Sequence, residues 1–286
     1  MIFVSTGGRR DKSASETALE FYEQGIVGVE LSGGAFSATY KEDLLSLPSG
    51  LVMQPHNYFP PPEIPFVLNL AAIDITVAKK SIAHIKNAIR LTTLLGRSTY
   101  SFHAGFRINP QASELGEKLR QYELLDRKIA FEIFGERVTS LAEDARREGV
   151  TLLVENNVIN KHNLSTFGED PLLLTNPNEI LDFMVGMPSN VGLLLDVAHL
   201  KVSANSLGFD LLLAHEKIKK LIKAYHLSDN DGTADSNDPV HPESWFWELL
   251  VPDLDFYTLE IYRATIPTLI QQVNQVSLRI TNKFTG

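Results

Sequence analysis

VGLLLDVAH, residues 191–199, runs through five positions without a polar side chain and stops on Asp196, with His199 one helical turn further on. A short, continuous apolar run of this kind suits a strand buried on both faces, as in a parallel sheet. Five more segments share the form and likewise end on a metal-ligand residue type: LVMQPH (51–56), STYSFH (98–103), VTLLVE (150–155), IKAYH (222–226) and FYTLE (256–260). Two further runs bring the predicted strands to eight, near 2–5, 27–31, 51–56, 98–103, 150–155, 191–196, 222–227 and 256–261. Amphipathic segments follow the strands, giving a count of eight strand–helix pairs. The expected fold is therefore α/β, a (β/α)8 TIM barrel in one domain over residues 1–286. In such a barrel the carboxyl ends of all strands meet on one rim, so His56, His103, Glu155, Asp196, His226 and Glu260 are expected together.

Helix signals support this alternation. Asp74 reads as an N-cap, Ile82, Ile85 and Ile89 fall on one face, and Gly96 is a stop. Asn176 reads as another cap, with Pro177 at the first helical position and Glu179 completing a capping-box variant. Residues 114–148 read as one long helical stretch with a bend at Gly135, and a closing helix reaches about 280. No repeat or linker divides the chain. The stretch 157–175, VINKHNLSTFGEDPLLLTN, is long for a connection on the chemical rim, which makes it a candidate lid over substrate.

The composition, with 44% hydrophobic and 21% charged residues, is that of a globular protein. No apolar run approaches the roughly 20 residues of a membrane span, and MIFVSTGGRR reads as a first strand rather than a leader, so the expected location is cytoplasmic. The absence of Cys excludes a thiolate site and leaves any metal to His, Asp and Glu. A net charge of −9 disfavours a nonspecific hold on nucleic acid, and nothing opposes a homo-oligomer.

Glu155, Asp196, His226 and Glu260 each close an apolar run. Buried carboxylates facing one another repel, and a divalent cation resolves both the repulsion and the burial; the bland alternative is a strand cap or an ion pair at each position separately. His56 and His103 are candidates for a second metal or for substrate contact, and His199 is read as a substrate contact. His84, sharing a helix face with Lys80, and His215, on a helix rich in Lys and Glu, are read as solvated. His162 falls in the candidate lid, and His241 is read as either loop surface or site. Asp229, Asn230 and Asp231, ahead of Gly232, suit a turn; the functional alternative is that Asp229 or Asn230 orients His226 or a substrate hydroxyl. Glu30 also ends a strand, TGGRR offers Gly amides with Arg9 or Arg10 to an anion, and Arg263 is a candidate partner for a substrate carboxylate or phosphate.

With LLVENN, LLLDVAH, YHLSDNDG and TLEIY in order on successive strands, the chain resembles the xylose isomerase-like TIM-barrel superfamily, in particular its sugar phosphate isomerase/epimerase branch. The resemblance implies one divalent ion, Mn, Zn, Mg or Co, held by Glu155, Asp196, His226 and Glu260, with His199 facing a small sugar substrate. It further implies that one of Glu155 and Glu260 removes a proton beside the substrate carbonyl and the other returns it. The chain also resembles the type IV apurinic endonucleases, with His56, His103 and His199 at that branch's further ligand positions. There it departs from the pattern: the expected Asp-x-His pair is Asp238-Pro-Val-His241, one residue too wide. Phosphodiester hydrolysis on DNA and a non-catalytic sugar-binding barrel are the alternative readings.

Overall fold

The computed structural model describes residues 1–111 and 119–282. Eight parallel strands form one sheet: β1 Ile2–Ser5, β2 Gly28–Leu31, β3 Val52–Pro55, β4 Thr99–His103, β5 Thr151–Glu155, β6 Val191–Asp196, β7 Ile222–Leu227 and β8 Phe256–Leu259. They run in the order β3-β2-β1-β8-β7-β6-β5-β4. The two outer strands approach each other through a parallel bridge between His56 and Ser101, where the Asn57 amide donates to the Ser101 carbonyl at 2.6 Å. Lower in the same gap, buried Gln54 donates its side-chain amide to the Thr99 carbonyl and accepts from Arg97 Nε at 3.1 Å. The sheet is thus a nearly closed barrel, and a side chain stands in for part of the missing ladder.

Helices between the strands are α1 Ala14–Glu23, α2 Tyr40–Leu45, α3 Ile75–Leu94, α4 Arg127–Arg147, α5 Lys161–Phe167, α6 Pro177–Val185, α7 Val197–Leu207 and α8 Leu211–Ile218, with α9 Ile266–Asn282 after the last strand. Asp74 caps α3 as expected, accepting from the amides of Thr76 and Val77, and Ile85 and Ile89 are buried beneath it. Asn176 caps α6 with Pro177 in the first turn. Glu179 does not complete a box there: its carboxylate takes Arg127 in a two-point ion pair and accepts from the Leu174 amide at 2.6 Å. The wall between strands and helices is one apolar cluster, and Phe3, Leu153, Leu194, Ala224 and Phe256 form a smaller cluster inside the barrel. Phe3 meets Phe256 edge to face at 5.8 Å.

Three expectations need correction. The β7–β8 connection, residues 228–255, carries turns and no helix, so the seventh strand–helix pairing fails. Pro239, Pro242 and Pro252 lack the amide hydrogens a helix needs, yet Phe246, Trp247 and Leu250 bury their side chains and fill the wall a helix would fill. Within 114–148, residues 119–126 are irregular, and helix begins only at Arg127, with Asp126 as its cap; residues 112–118 lie outside the described residues. The helix continues through Gly135. His84 and His215 are not solvated. His84 stacks on Tyr58 at 5.3 Å and approaches the Asn57 carbonyl at 3.2 Å, and fully buried His215 lies parallel to Tyr225, 2.9 Å from its hydroxyl. Lys and Glu on the same helices identified the outer face, but each His points inward.

Candidate metal centre

Parallel register carries the strand-end residues to one level. His103 pairs with Glu155 and Asp196 with His226, while Glu260 follows directly on β8, its amide bonded to the Leu227 carbonyl at 3.2 Å. Glu155, Asp196, His226 and Glu260 are buried and offer ligand atoms that all lie within 4.8 Å of one another. Nδ1 of His226 stands 3.0 Å from Glu260 Oε2, 3.5 Å from Glu155 Oε1 and 4.0 Å from Asp196 Oδ2. Neither Glu155 oxygen has a hydrogen-bond partner, and neither has His226 Nδ1. Buried polar atoms left without partners cost on the order of 1–3 kcal/mol each, more when charged, so the set fits a cation that all of them share. Hard carboxylate oxygens with one imidazole are a donor set suited to Mg²⁺, Mn²⁺, Co²⁺ or Zn²⁺.

The other nitrogen fixes the orientation of His226. Its Nε2 lies 3.2 Å from Glu30 Oε2; Thr258 Oγ1 donates to that oxygen at 2.8 Å, and Ser32 Oγ donates to the other at 3.1 Å. Glu30 therefore orients the ring through Nε2 and leaves Nδ1 facing the cluster. Burial opposes a charge on the imidazole, but Glu30, Glu155 and Glu260 hold its pKa well above the usual value, so a cation bound at Nδ1 would displace a proton there. Electrostatics follow the crowding. Burial, with the nearby carboxylates of Asp235, Glu155 and Glu260, lifts Asp196 to about 7 against the opposing pull of His199. For Glu260, burial acts upward, but His226 prevails and brings the carboxyl down to about 2.

Around this centre the remaining candidates divide. His56 places Nε2 3.3 Å from Glu155 Oε2 while Nδ1 meets Ser101 Oγ at 2.8 Å; His103 Nδ1 is 3.7 Å from the same Glu155 oxygen. The three form a second convergent group sharing Glu155. His199 stands with Nδ1 2.8 Å from the Asn156 carbonyl and 3.5 Å from Glu155 Oε1, and with Nε2 3.2 Å from Asp235 Oδ2. Asp229 and Asn230 build the loop: Asp229 accepts from Lys201 at 2.7 Å and Ser244 at 2.6 Å, and Asn230 bonds the Ala198 carbonyl and the Gly232 amide. His241 is exposed, its backbone bonded to Ser244 and Trp247. Arg263 is exposed on an open cleft that Arg9 and the start of α9 also line, outside the cluster.

Two residues at the rim escaped the sequence reading. Asp235 lies in a polar loop with no apolar run ahead of it, and nothing local distinguishes it from neighbouring loop acids. Tyr262, whose hydroxyl donates to Glu260 Oε1 at 2.7 Å, sits two positions beyond a recognised ligand candidate, and that spacing was its one available signal. The candidate lid is in part fixed. Residues 170–175 are buried, with Arg107 and Leu173 amides bonded to the Pro171 and Gly105 carbonyls, whereas Lys161, His162 and Ser165 on α5 are exposed.

Comparison with known proteins agrees with this architecture. No curated protein matches the chain by sequence. Among solved structures, a D-tagatose 3-epimerase-like protein superposes with a TM-score of 0.73 at 16% identity, covering 100% of this chain and 99% of that one. A xylose isomerase-like TIM barrel protein from Mycobacterium smegmatis in complex with magnesium gives 0.69 at 14% identity over 98% and 96%. An L-ribulose 3-epimerase gives 0.63 at 19% identity over 96% and 86%. At these identities the likeness concerns the fold. The family profile described as xylose isomerase-like TIM barrel matches residues 35–250, and the chain belongs to that family.

Proposed function

We propose that this chain is a metal-dependent isomerase or epimerase of a small sugar or sugar derivative, working at the Glu155–Asp196–His226–Glu260 cluster. The observation that carries the reading is the convergence of four buried ligand residues in which the Glu155 oxygens and His226 Nδ1 have no hydrogen-bond partner. Structural neighbours that are sugar epimerases add weight to the choice of substrate class. A divalent ion in this position would supply a Lewis acid that stabilises the negative charge developing on a substrate oxygen.

The chain's own residues supply the rest. Glu155 and Glu260 come from β5 and the end of β8 and are suited to removing and returning a carbon-bound proton, a contribution on the order of 10²–10⁴-fold. Return to the same carbon from the opposite face gives epimerisation, and return to its neighbour gives aldose–ketose isomerisation. His199, held by the Asn156 carbonyl and Asp235, is suited to a substrate hydroxyl. Residues 157–169, ahead of the buried 170–175 stretch, would cover the bound sugar. Among the described residues no helix is long and apolar enough to cross a membrane.

The decisive experiment loads metal-stripped protein with Mn²⁺ or Co²⁺ and follows deuterium uptake from D2O into a panel of ketoses and aldoses by NMR. Uptake beside the carbonyl, abolished by Glu155→Gln and by Glu260→Gln, is the expected result; full activity in either variant refutes the two-carboxylate scheme. The second group at His56, His103 and Glu155 favours one further reading, a multi-metal hydrolase acting on DNA. Cleavage of abasic-site DNA with no deuterium uptake by any sugar would establish that alternative. Sugar binding without uptake would instead mark a non-catalytic barrel.

A further inference from the structure

We infer that Tyr262 positions Glu260 for its task and that Gly7 and Gly8 provide the seat that allows it; the inference rests on the metal-dependent reading above. The two oxygens of Glu260 have different surroundings. Oε1 accepts from the Tyr262 hydroxyl at 2.7 Å, and Oε2 faces the cluster 3.0 Å from His226 Nδ1. A short bond from a hydroxyl to a carboxylate belongs to the stronger class of hydrogen bonds. With Oε1 so engaged, Glu260 presents a single oxygen to whatever occupies the centre.

The ring reaches this position because the β1–α1 loop carries no side chain at Gly7 and Gly8. Neither Gly7 nor Gly8 has a positive φ, so their conformation does not call for glycine. Space does. A Cβ on Gly7 would overlap the phenol oxygen and lie 3.0 Å from Cζ, and one on Gly8 would lie 3.0 Å from Cδ1 and 3.2 Å from Cα of the same tyrosine. The Gly7 amide is tied to Ser5 Oγ at 3.1 Å, and the Tyr262 amide to the Asn237 carbonyl at 3.0 Å, so neither surface is free to retreat. The glycines of TGGRR therefore receive an aromatic ring at the position where the sequence suggested an anion.

A methyl group at Gly7 meets the far end of the Tyr262 side chain, so relief of the overlap moves the hydroxyl and leaves the fold in place. Gly7→Ala should then reproduce Tyr262→Phe although the phenol is still present. The test titrates Co²⁺ into metal-stripped full-length protein and records visible absorption and affinity for the wild type, Tyr262→Phe, Gly7→Ala and the double variant. Loss of an outer-shell partner typically weakens metal binding 10–100-fold. The expected result is at least a roughly tenfold loss in both single variants, with the same altered Co²⁺ spectrum, and a double variant no worse than Tyr262→Phe, because the two act on one contact. A folded Tyr262→Phe protein with the wild-type spectrum and affinity overturns the inference, as does a double variant whose losses add. Should Tyr262→Phe fail to fold, Gly7→Ala decides by the same two readouts. Wild-type protein that takes up no Co²⁺ refutes the metal-dependent reading itself, and this inference falls with it.

Discussion

His226 lies between two demands, a carboxylate on one nitrogen and an acidic cluster on the other, and its neighbours satisfy them in a fixed order. Glu30 is fully buried, held by Thr258 and Ser32, and accepts the Nε2 proton, so the lone pair at Nδ1 is the one available to a cation. A Glu30→Gln protein should bind Co²⁺ on the order of tenfold more weakly by chelator competition; unchanged affinity would show that the tautomer is set elsewhere. His84 makes a different prediction, away from the cluster. Burial depresses its pKa from 6.5 to about 4, so the folded state favours the neutral ring. Its contribution is complete above pH 6.5 and is lost as pH falls from 6.5 toward 4, up to about 3 kcal/mol at one pKa unit per 1.36 kcal/mol. Urea unfolding across that range should show a shallower pH dependence in His84→Phe than in wild type, and equal slopes would contradict the depressed pKa. The four ligand candidates were legible because each interrupts an apolar run. Glu30 was visible as a strand end, but its role was not, since its partner lies 196 positions away in sequence.

The elements differ in how openly the sequence declares them. Strands buried on both faces leave continuous apolar runs, and all eight were read within a residue or two of their observed ends. The β7–β8 connection was harder, because Phe246, Trp247 and Leu250 are spaced as a helix would space them, yet the chain between Pro242 and Pro252 takes only turns. The segment after β5 was legible as unusual, though not as two parts. Its second part is fastened by Arg127, which grips Glu179 at 2.8 and 2.7 Å and also donates to the Asp170 carbonyl at 3.0 Å, while Glu179 accepts from the Leu174 amide. Removing Arg127 leaves the mostly buried Glu179 carboxylate with the Leu174 amide alone and the Asp170 carbonyl with Arg107 alone, at 2.7 Å. Hydrogen bonds to charged groups contribute about 1.5–3 kcal/mol, so Arg127→Ala should lower the local opening energy by about 2 kcal/mol. Hydrogen exchange should report this as faster exchange at Leu172, Leu173 and Leu174, with β6 and β7 unaffected. Equal protection in both proteins would mean that the carbonyl contacts alone hold the segment. A cut within 161–167, by contrast, should spare this anchor and impair only substrate retention.

At the scale of the whole barrel, the closing contacts and the candidate centre share one end. The His56–Ser101 bridge that brings β3 and β4 together sits at the level of the cluster, and His56 itself reaches Glu155. An ion at the centre would therefore join β5, β6, β7 and the end of β8 across the rim, stabilising the assembled barrel against the unfolded chain, in which these ligands are dispersed. Linkage then predicts a coupling between metal and stability: a ligand at one hundred times its dissociation constant adds about 2.7 kcal/mol. For a domain of this size each kcal/mol moves the melting temperature by roughly 2–4 °C, so saturating Co²⁺ should raise the midpoint of stripped protein by roughly 5–10 °C, and EDTA should reverse the rise. Asp196→Ala and His226→Ala should abolish most of that shift, because each removes a ligand from the group of four. His56→Ala separates the four-residue group from the others: it leaves those four ligands intact and breaks both the group formed with His103 and Glu155 and the one formed with Glu30 and His226. If the four-residue centre alone binds metal, elemental analysis returns one equivalent per chain for wild type and His56→Ala alike. A second equivalent in wild type, lost in His56→Ala, would instead place a further ion at a group containing His56 and shift the proposed chemistry toward hydrolysis.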